Sequence, residues 1–429
     1  MKNALIIFAI FILAFSVRLV SMDRGHVIES DEIEHDRLGL SLAEGKGYVS
    51  TDGKPTAFRP PFYAIFLAMV YKVFGHSYAA IRIVQIFLSS ATVVFFYVIA
   101  LKLFGRPAAL LTGMLASIYM PFVVSSMLLY NETLFNFLLA LICVIVVSGG
   151  TELGFLKAVS LGLLAALLAI TKSTGILMPA IVIIAYYLKI PPVSKARSRF
   201  MVNSIVLVLV FCLILAPWTA RNYRIFGKMI PVSTNSGINM YVGIRPVEGK
   251  IFGLGPRDDI KNRADLIEDE ADRSAFYMRQ AIKAYIEDPL RAIKLIFMRM
   301  LFFFSFIDWE IMGGAVINYH FIFFIPFAIA GMVVSALKRR DTIFLVILCG
   351  LFTSMVMIFQ ATPRYRLPID GYLIIFASAV ICDLVMRKRY GRIFAVLISV
   401  YFIFTWTLYV FPYWTKDIAR TVMQRAGLW

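Results

Sequence analysis

Apolar runs long enough to cross a lipid bilayer recur along nearly the whole chain, and charged residues are confined to the stretches between them. A membrane-spanning helix needs about 20 apolar residues, because the hydrocarbon core is about 30 Å thick and each residue adds about 1.5 Å. Spans of that kind are predicted near residues 3–22, 80–103, 107–125, 131–149, 154–171, 174–190, 201–218, 317–337, 342–360, 367–386 and 393–411. Apolar residues make up 60% of the 429, and charged residues 16%. Soluble domains sit nearer roughly 45–50% and 25%. A disordered chain, a fibrous repeat and an ordinary soluble enzyme are thereby excluded. The expected class is an all-α integral membrane protein with about eleven transmembrane helices.

The formal net charge is +17. In a polytopic protein this excess belongs to cytoplasmic loops and calls for no nucleic acid. Three basic clusters occur: Lys189 to Arg199, Lys338 to Arg340, and Arg387 to Arg392. They fall on one side of the membrane if residues 289–308, which carry Arg291, Lys294 and Arg299, lie flat at the interface and do not cross. That side is cytoplasmic, and so is the N-terminus. Two polar segments then face outward: a first loop over 23–78, and a larger loop over 219–308 with a helix expected from Asp265 to Ile286. Within the first loop, residues 60–75 read as a juxtamembrane helix. Arg18, near the end of the first span, is expected to snorkel to the interface. The domain reading is a polytopic membrane domain over 1–411 and a short outer tail over 412–429.

The four cysteines lie in apolar stretches without CxxC or Cys/His spacing, so neither disulfides nor a zinc site is expected. His35 stands among Glu32, Glu34 and Asp36, which makes a divalent metal conceivable. No HxH or HExxH spacing supports one, and no cofactor is expected.

Three sets of outward-facing residues could carry chemistry. The first is the acidic ESDEIEHDRLGLSLAEGKGY. Ser30 suits a helix N-cap, Asp31 and Glu32 a first turn, and Gly45 and Gly47 a helix end. The segment reads either as a solvated interfacial helix or as the source of a general base, and composition does not separate the two. The second is Glu132, at the head of an apolar helix, where a carboxylate is either functional or held by the helix dipole. The third is basic: Arg59, Lys172, Arg221, Arg224, Arg364 and Arg366. Arginine forks match phosphate oxygens bidentately, so a lipid phosphate would explain them, as would pairing with the acidic loop or lipid head groups.

These segments carry a resemblance. SDEIEHDRLGLSLAEGKGY, TAFRPPFYAIFLAMVYKVFG, NETLF, APWTARNYRIFGKMIPVSTNSGINMYVG and PRYRLPIDGYLIIFAS follow one another in the order seen in GT-C glycosyltransferases. The chain resembles the bacterial members of the protein-mannosyltransferase and aminoarabinose-transferase type. It departs from them at YVGIRP, where relatives often carry two asparagines after the glycine.

The resemblance implies a GT-C fold, a polyprenyl-phosphate-sugar donor and an active site at the outer face of a bacterial inner membrane. It implies Asp31 as the catalytic base, with Glu32 its neighbour in the acidic pair and Glu132 a second acid near the site. Arg364, with Arg366, would meet the donor phosphate, and Arg59, Lys172 and Arg221 are the further candidates for it. The acceptor stays open among lipids, glycans and proteins. Sugar transfer from a lipid phosphate needs charge stabilisation and a base for the acceptor hydroxyl, and in-line attack would invert the anomeric centre. Two other readings compete. A flippase or transporter of a lipid-linked saccharide would favour charges buried at the membrane midplane and internal symmetry. A non-catalytic assembly subunit would not need the acidic and RYR motifs.

Overall fold

The computed structural model describes residues 2–22, 26–29, 31–190, 196–244, 259–304, 307–308, 316–338 and 340–386. In chain order the helices are α1 (Lys2–Val20), α2 (Asp31–Ala43), α3 (Pro61–Phe74), α4 (Tyr78–Phe104), α5 (Arg106–Ile118), α6 (Met120–Ser125), α7 (Glu132–Ser148), α8 (Phe155–Ala169), α9 (Met178–Tyr187), α10 (Ala196–Phe226), α11 (Ser236–Gly243), α12 (Asp259–Asp265), α13 (Glu270–Glu287), α14 (Pro289–Phe303), α15 (Tyr319–Lys338), α16 (Ile343–Ile358) and α17 (Leu367–Met386). One two-residue antiparallel pairing, Ile307–Asp308 with Val316–Ile317, and a single antiparallel bridge between Val49 and Pro55 are the strand contacts among the described residues. The fold is all-α.

Four helical segments are long and apolar enough to cross a membrane: Tyr78–Phe104, Arg197–Phe226, His320–Leu337 and Pro363–Met386. Six shorter apolar segments accompany them: Ala4–Val20, Pro61–Phe74, Glu132–Ser148, Phe155–Ala169, Ser173–Tyr187 and Ile343–Ile358. The span expected over 393–411, the tail over 412–429 and the Arg387 to Arg392 cluster lie outside the described residues. So does Ser30.

α4 is the hub, packing on α1, α5, α7 and α17. α17 in turn packs on α15, and α10 on α8. Two glycines let these partners approach closely. A Cβ on Gly331 of α15 would stand 2.5 Å from the Phe376 carbonyl oxygen of α17, and one on Gly162 of α8 would stand 2.5 Å from the Leu207 carbonyl oxygen of α10. Helices in lipid gain no hydrophobic drive toward one another, so close backbone approach at small residues supplies much of the packing.

Several expectations are corrected. The run 107–125 is not one helix: it breaks at Tyr119, whose extended ψ of 108° precedes Pro121 near the start of α6. The residue two before that proline leaves the helical region, in keeping with the missing donor that proline brings. Residues 174–190 begin as a 3₁₀ turn, Ser173–Leu177, and become α-helical only at Met178. The helix expected over 265–286 starts later, as α13 at Glu270, after a separate α12 has ended at Asp265, and Asp269 caps it by accepting from the Asp272 amide.

Arg18 does not snorkel. It is fully buried, and its Nε donates to Ser89 Oγ at 2.8 Å. Its Nη1 donates to the carbonyls of Ala14 and Ser117, each at 3.0 Å. Ser117 lies in the last turn of α5, where free carbonyls and the helix dipole favour a cation.

α3 has 14 residues, about 21 Å of helix at about 1.5 Å per residue, which is short of a bilayer core. Its buried face, including Tyr63, Leu67 and Tyr71, lies on α2. α2 and α3 therefore form a paired platform, and α2 ends at the left-handed glycines Gly45 and Gly47, as the sequence suggested.

Candidate active site

The platform helix α2 opens with Asp31, and this carboxylate meets two guanidiniums from distant segments. Its Oδ1 accepts from Arg59 Nη2 at 2.7 Å, and its Oδ2 from Arg364 Nη1 at 3.0 Å. Glu34, one turn along α2, accepts from Arg59 Nε at 2.8 Å. Arg59 precedes the paired prolines that start α3. Its backbone is fixed by the Tyr48 hydroxyl, which donates to the Arg59 carbonyl at 2.9 Å.

Arg364 sits in a 3₁₀ turn, Pro363–Arg366, that leads into α17. Its guanidinium lies 3.8 Å from the centroid of the Tyr130 ring, a cation–π contact that holds the plane of the fork. From there Nε donates to Glu132 Oε1 at 2.8 Å. Lys172 Nζ reaches the same oxygen at 3.0 Å, and Lys172 itself lies 4.8 Å from the Tyr365 ring centroid. Glu132 is 1% exposed, and its other oxygen, Oε2, is buried without a partner among the described residues. Next to it, Asn131 Nδ2 donates to the Thr171 carbonyl at 3.1 Å, tying the head of α7 to the turn that carries Lys172.

Six residues from five separated parts of the sequence thus form one chain of charge, Glu34–Arg59–Asp31–Arg364–Glu132–Lys172, with Glu34 added to the five that the sequence nominated. Burial by itself pushes the Asp31 carboxyl up, but Arg59 and then Arg364 outweigh it and hold it at about 2. For Arg59 burial works downward, and Asp31 and Glu34 reverse it, so the guanidinium is raised. Lys172 is lowered by burial, against the pull of Glu132. Asp31 keeps 29% of its side chain exposed, so this carboxylate is reachable from outside the bundle.

His35 lies on α2, one turn beyond Asp31, edge-on to Tyr63 with centroids 4.9 Å apart. Burial and the Arg59 charge lower it to about 3, so it is neutral, and its Nε2 is buried without a partner among the described residues. Among the described residues no three His, Cys, Asp or Glu side chains come together in a metal-holding group.

Other nominated residues lie elsewhere. Glu32 faces away from the cluster: its Oε1 accepts from the Leu129 amide at 2.8 Å, and its Oε2 from His26 Nε2 at 2.8 Å. Arg366, two residues from Arg364, is buried; its Nε donates to Asp370 Oδ1 at 2.9 Å and its Nη1 to the Phe303 carbonyl at 2.7 Å. Arg221 donates to the carbonyls of Thr56 at 2.6 Å and Tyr48 at 2.9 Å, so it braces the first loop. Arg224 is exposed near the end of α10. The sequence reading missed Glu34, Tyr130 and Tyr365. Glu34 was visible three residues after Asp31 on one helical face, and Tyr130 directly precedes the Asn131–Glu132 pair.

Residues 58–219 match the family model described as dolichyl-phosphate-mannose-protein mannosyltransferase. A search of curated proteins returns no significant match. The oligosaccharyltransferase AglB from Archaeoglobus fulgidus, solved with an inhibitory peptide and a dolichol-phosphate, superposes with a TM-score of 0.53 at 13% identity, covering 94% of this chain and 55% of that chain. A second structure of the Archaeoglobus fulgidus oligosaccharyltransferase, with zinc and sulfate, gives 0.54 at 16% identity, covering 92% and 51%. ArnT from Cupriavidus metallidurans in the apo state gives 0.42 at 12% identity, covering 89% and 77%. The chain spans about half the length of the oligosaccharyltransferase structures it matches. The architecture is the membrane fold shared with the Archaeoglobus fulgidus oligosaccharyltransferase, and the family model covers residues 58–219 of it.

Proposed function

We propose that this GT-C chain transfers a sugar from a polyprenyl-phosphate donor to an acceptor hydroxyl at the outer face of the membrane. The observation that carries this reading is the Asp31–Arg364–Glu132–Lys172 chain, in which a reachable carboxylate shares its arginine with a buried one. Transfer from a lipid phosphate asks for two things: cations where the phosphate charge grows as the glycosidic bond breaks, and a base for the proton that the acceptor loses. Both are adjacent here. AglB carries a dolichol-phosphate in one of its structures, and a lipid phosphate is the corresponding ligand proposed for this chain.

In the resting cluster both oxygens of Asp31 accept from guanidiniums, which makes it a weak base. A donor phosphate seated on Arg364 and Lys172 takes over charge that these cations now give to the carboxylates. Asp31 is then a stronger base when donor is present than when it is absent. The acceptor oxygen bonds to the anomeric carbon, the bond from that carbon to the phosphate oxygen breaks, and the hydroxyl proton passes to Asp31. The lipid phosphate leaves as the anion on the Arg364 side. Attack opposite the leaving group inverts the anomeric centre.

The test is turnover by the purified protein in proteoliposomes, with polyprenyl-phosphate sugars labelled in the sugar. Release of free polyprenyl phosphate together with label in an acceptor fraction is expected, and Asp31→Asn should suppress both. Movement of intact labelled lipid between leaflets without cleavage would overturn the reading in favour of a flippase.

A further inference from the structure

Glu270, the first residue of α13, lies in the large outer loop and touches none of the cluster residues. Its carboxylate reaches back more than two hundred positions to the segment just before Arg59. Oε1 accepts from the Ala57 amide at 3.0 Å and from Thr234 Oγ1 at 2.5 Å, while Oε2 accepts from Thr56 Oγ1 at 2.6 Å. The Thr234 amide completes the clasp by donating to the Ala57 carbonyl at 3.0 Å. Thr56, Ala57 and Thr234 are all buried, so these donors have no water to fall back on. Arg221 holds the same segment from the other side through the Thr56 carbonyl. A strap of backbone, Thr56–Ala57–Phe58, is thus clamped at one end and delivers Arg59 to Asp31 and Glu34 at the other.

We infer that Glu270 is a positioning residue for the base: by fixing the Thr56–Ala57 strap it sets where the Arg59 guanidinium stands against Asp31, and so couples the large outer loop to the reacting end of α2. This rests on the glycosyl-transfer reading above. The clamp needs acceptors at three donors and has no need of negative charge as such. A glutamine can present its carbonyl to the Ala57 amide and Thr234 while the Thr56 hydroxyl rotates to accept from its NH₂. An alanine leaves all three donors unpaired. A displaced strap moves Arg59, and a displacement of about 1 Å at a reacting centre costs up to about a hundredfold in rate.

The test is a double-mutant cycle with a second readout that needs no turnover. Glu270→Ala should lower kcat by about tenfold in the wild-type background and by less than about twofold once Arg59 is alanine, because the residue through which it acts is gone. Glu270→Gln should restore most of the lost rate. In parallel, Arg59→Cys is labelled with a methanethiosulfonate reagent, and adding Glu270→Ala should raise the labelling rate several-fold. Additive losses together with unchanged labelling would overturn the inference, since a merely structural glutamate lowers both backgrounds alike. If labelling responds while no donor sugar is ever transferred, the positioning role stands and the glycosyl-transfer reading fails.

Discussion

Arg364 and Asp31 are 333 positions apart in sequence and 3.0 Å apart in space. That one contact joins the start of α2 to the turn before α17. Because Arg364 also holds Glu132, it is the only described cation that bridges two carboxylates at the heads of different helices.

Arg364 is therefore the residue a phosphate would have to win. Arg364→Ala should weaken binding of polyprenyl phosphate by at least tenfold, measured by direct binding to protein in nanodiscs. Arg364→Lys should recover only part of it, because an ammonium is a point charge without the fork. A well-folded Arg364→Ala protein with unchanged affinity would remove phosphate binding from this turn.

Asp31→Asn should leave donor affinity within a few-fold of wild type and reduce turnover by about 10²- to 10⁴-fold, the usual cost of losing a general base. Glu32→Gln should behave differently. It loses part of a buried tie to the Leu129 amide and to His26, which costs stability on the order of 1–3 kcal/mol and shows as a lower Tm with kcat largely kept. Rate and melting measurements on the two variants separate the roles; a dead Glu32→Gln beside an active Asp31→Asn would reassign the base.

Acid should unfold the platform in two windows. His35 is lowered from 6.5 to about 3, so the unfolded chain binds a proton that the folded chain refuses, and stability falls as pH drops from about 6.5 toward 3. Asp31 is lowered from 3.8 to about 2, so its contribution is full above about pH 4 and lost as pH falls toward 2. Tm against pH for His35→Gln should flatten the upper window, and Asp31→Asn the lower. An unchanged upper window in His35→Gln would mean that the imidazole titrates normally.

The orientation can be read from thiols. Lys261→Cys, in α12 of the large loop, should react with an impermeant maleimide in intact cells, and Glu152→Cys, in the turn between α7 and α8, should react only after lysis. The reverse pattern would put the Asp31 cluster on the cytoplasmic side.

Helix positions were largely legible because lipid imposes a long apolar run on every crossing, and α4, α7, α8, α15, α16 and α17 fall within a few residues of the runs that announce them. Interruptions were less so. Tyr119 sits inside an apolar run and the 3₁₀ turn at Ser173–Leu177 straddles the start of another, and hydropathy carries no signal for a break in backbone geometry. Within the cluster, residue types pointed to Asp31, Glu132, Arg59, Lys172 and Arg364, but not to which of six outer basic residues would meet. Arg366 was indistinguishable from Arg364 in PRYRLP. What separates them is a carboxylate one helical turn on, Asp370, which claims Arg366 for the bundle interior. Glu270 gave no sign at all, since its role is written in backbone amides and hydroxyls of a segment 213 residues away.

The break at Tyr119 has an electrical consequence for the first helix. By ending α5 early it exposes the Ser117 carbonyl, and Arg18 donates there through Nη1, which also reaches the Ala14 carbonyl, while Nε donates to Ser89; none of these partners is an acid. A guanidinium held by two carbonyls and a hydroxyl has no carboxylate to lose to protonation. The Arg18 tie between α1, α4 and α5 therefore does not weaken as carboxylates protonate, whereas the ties that Asp31 makes from α2 do. A pH drop should loosen α2 while the Arg18 contacts between α1, α4 and α5 persist.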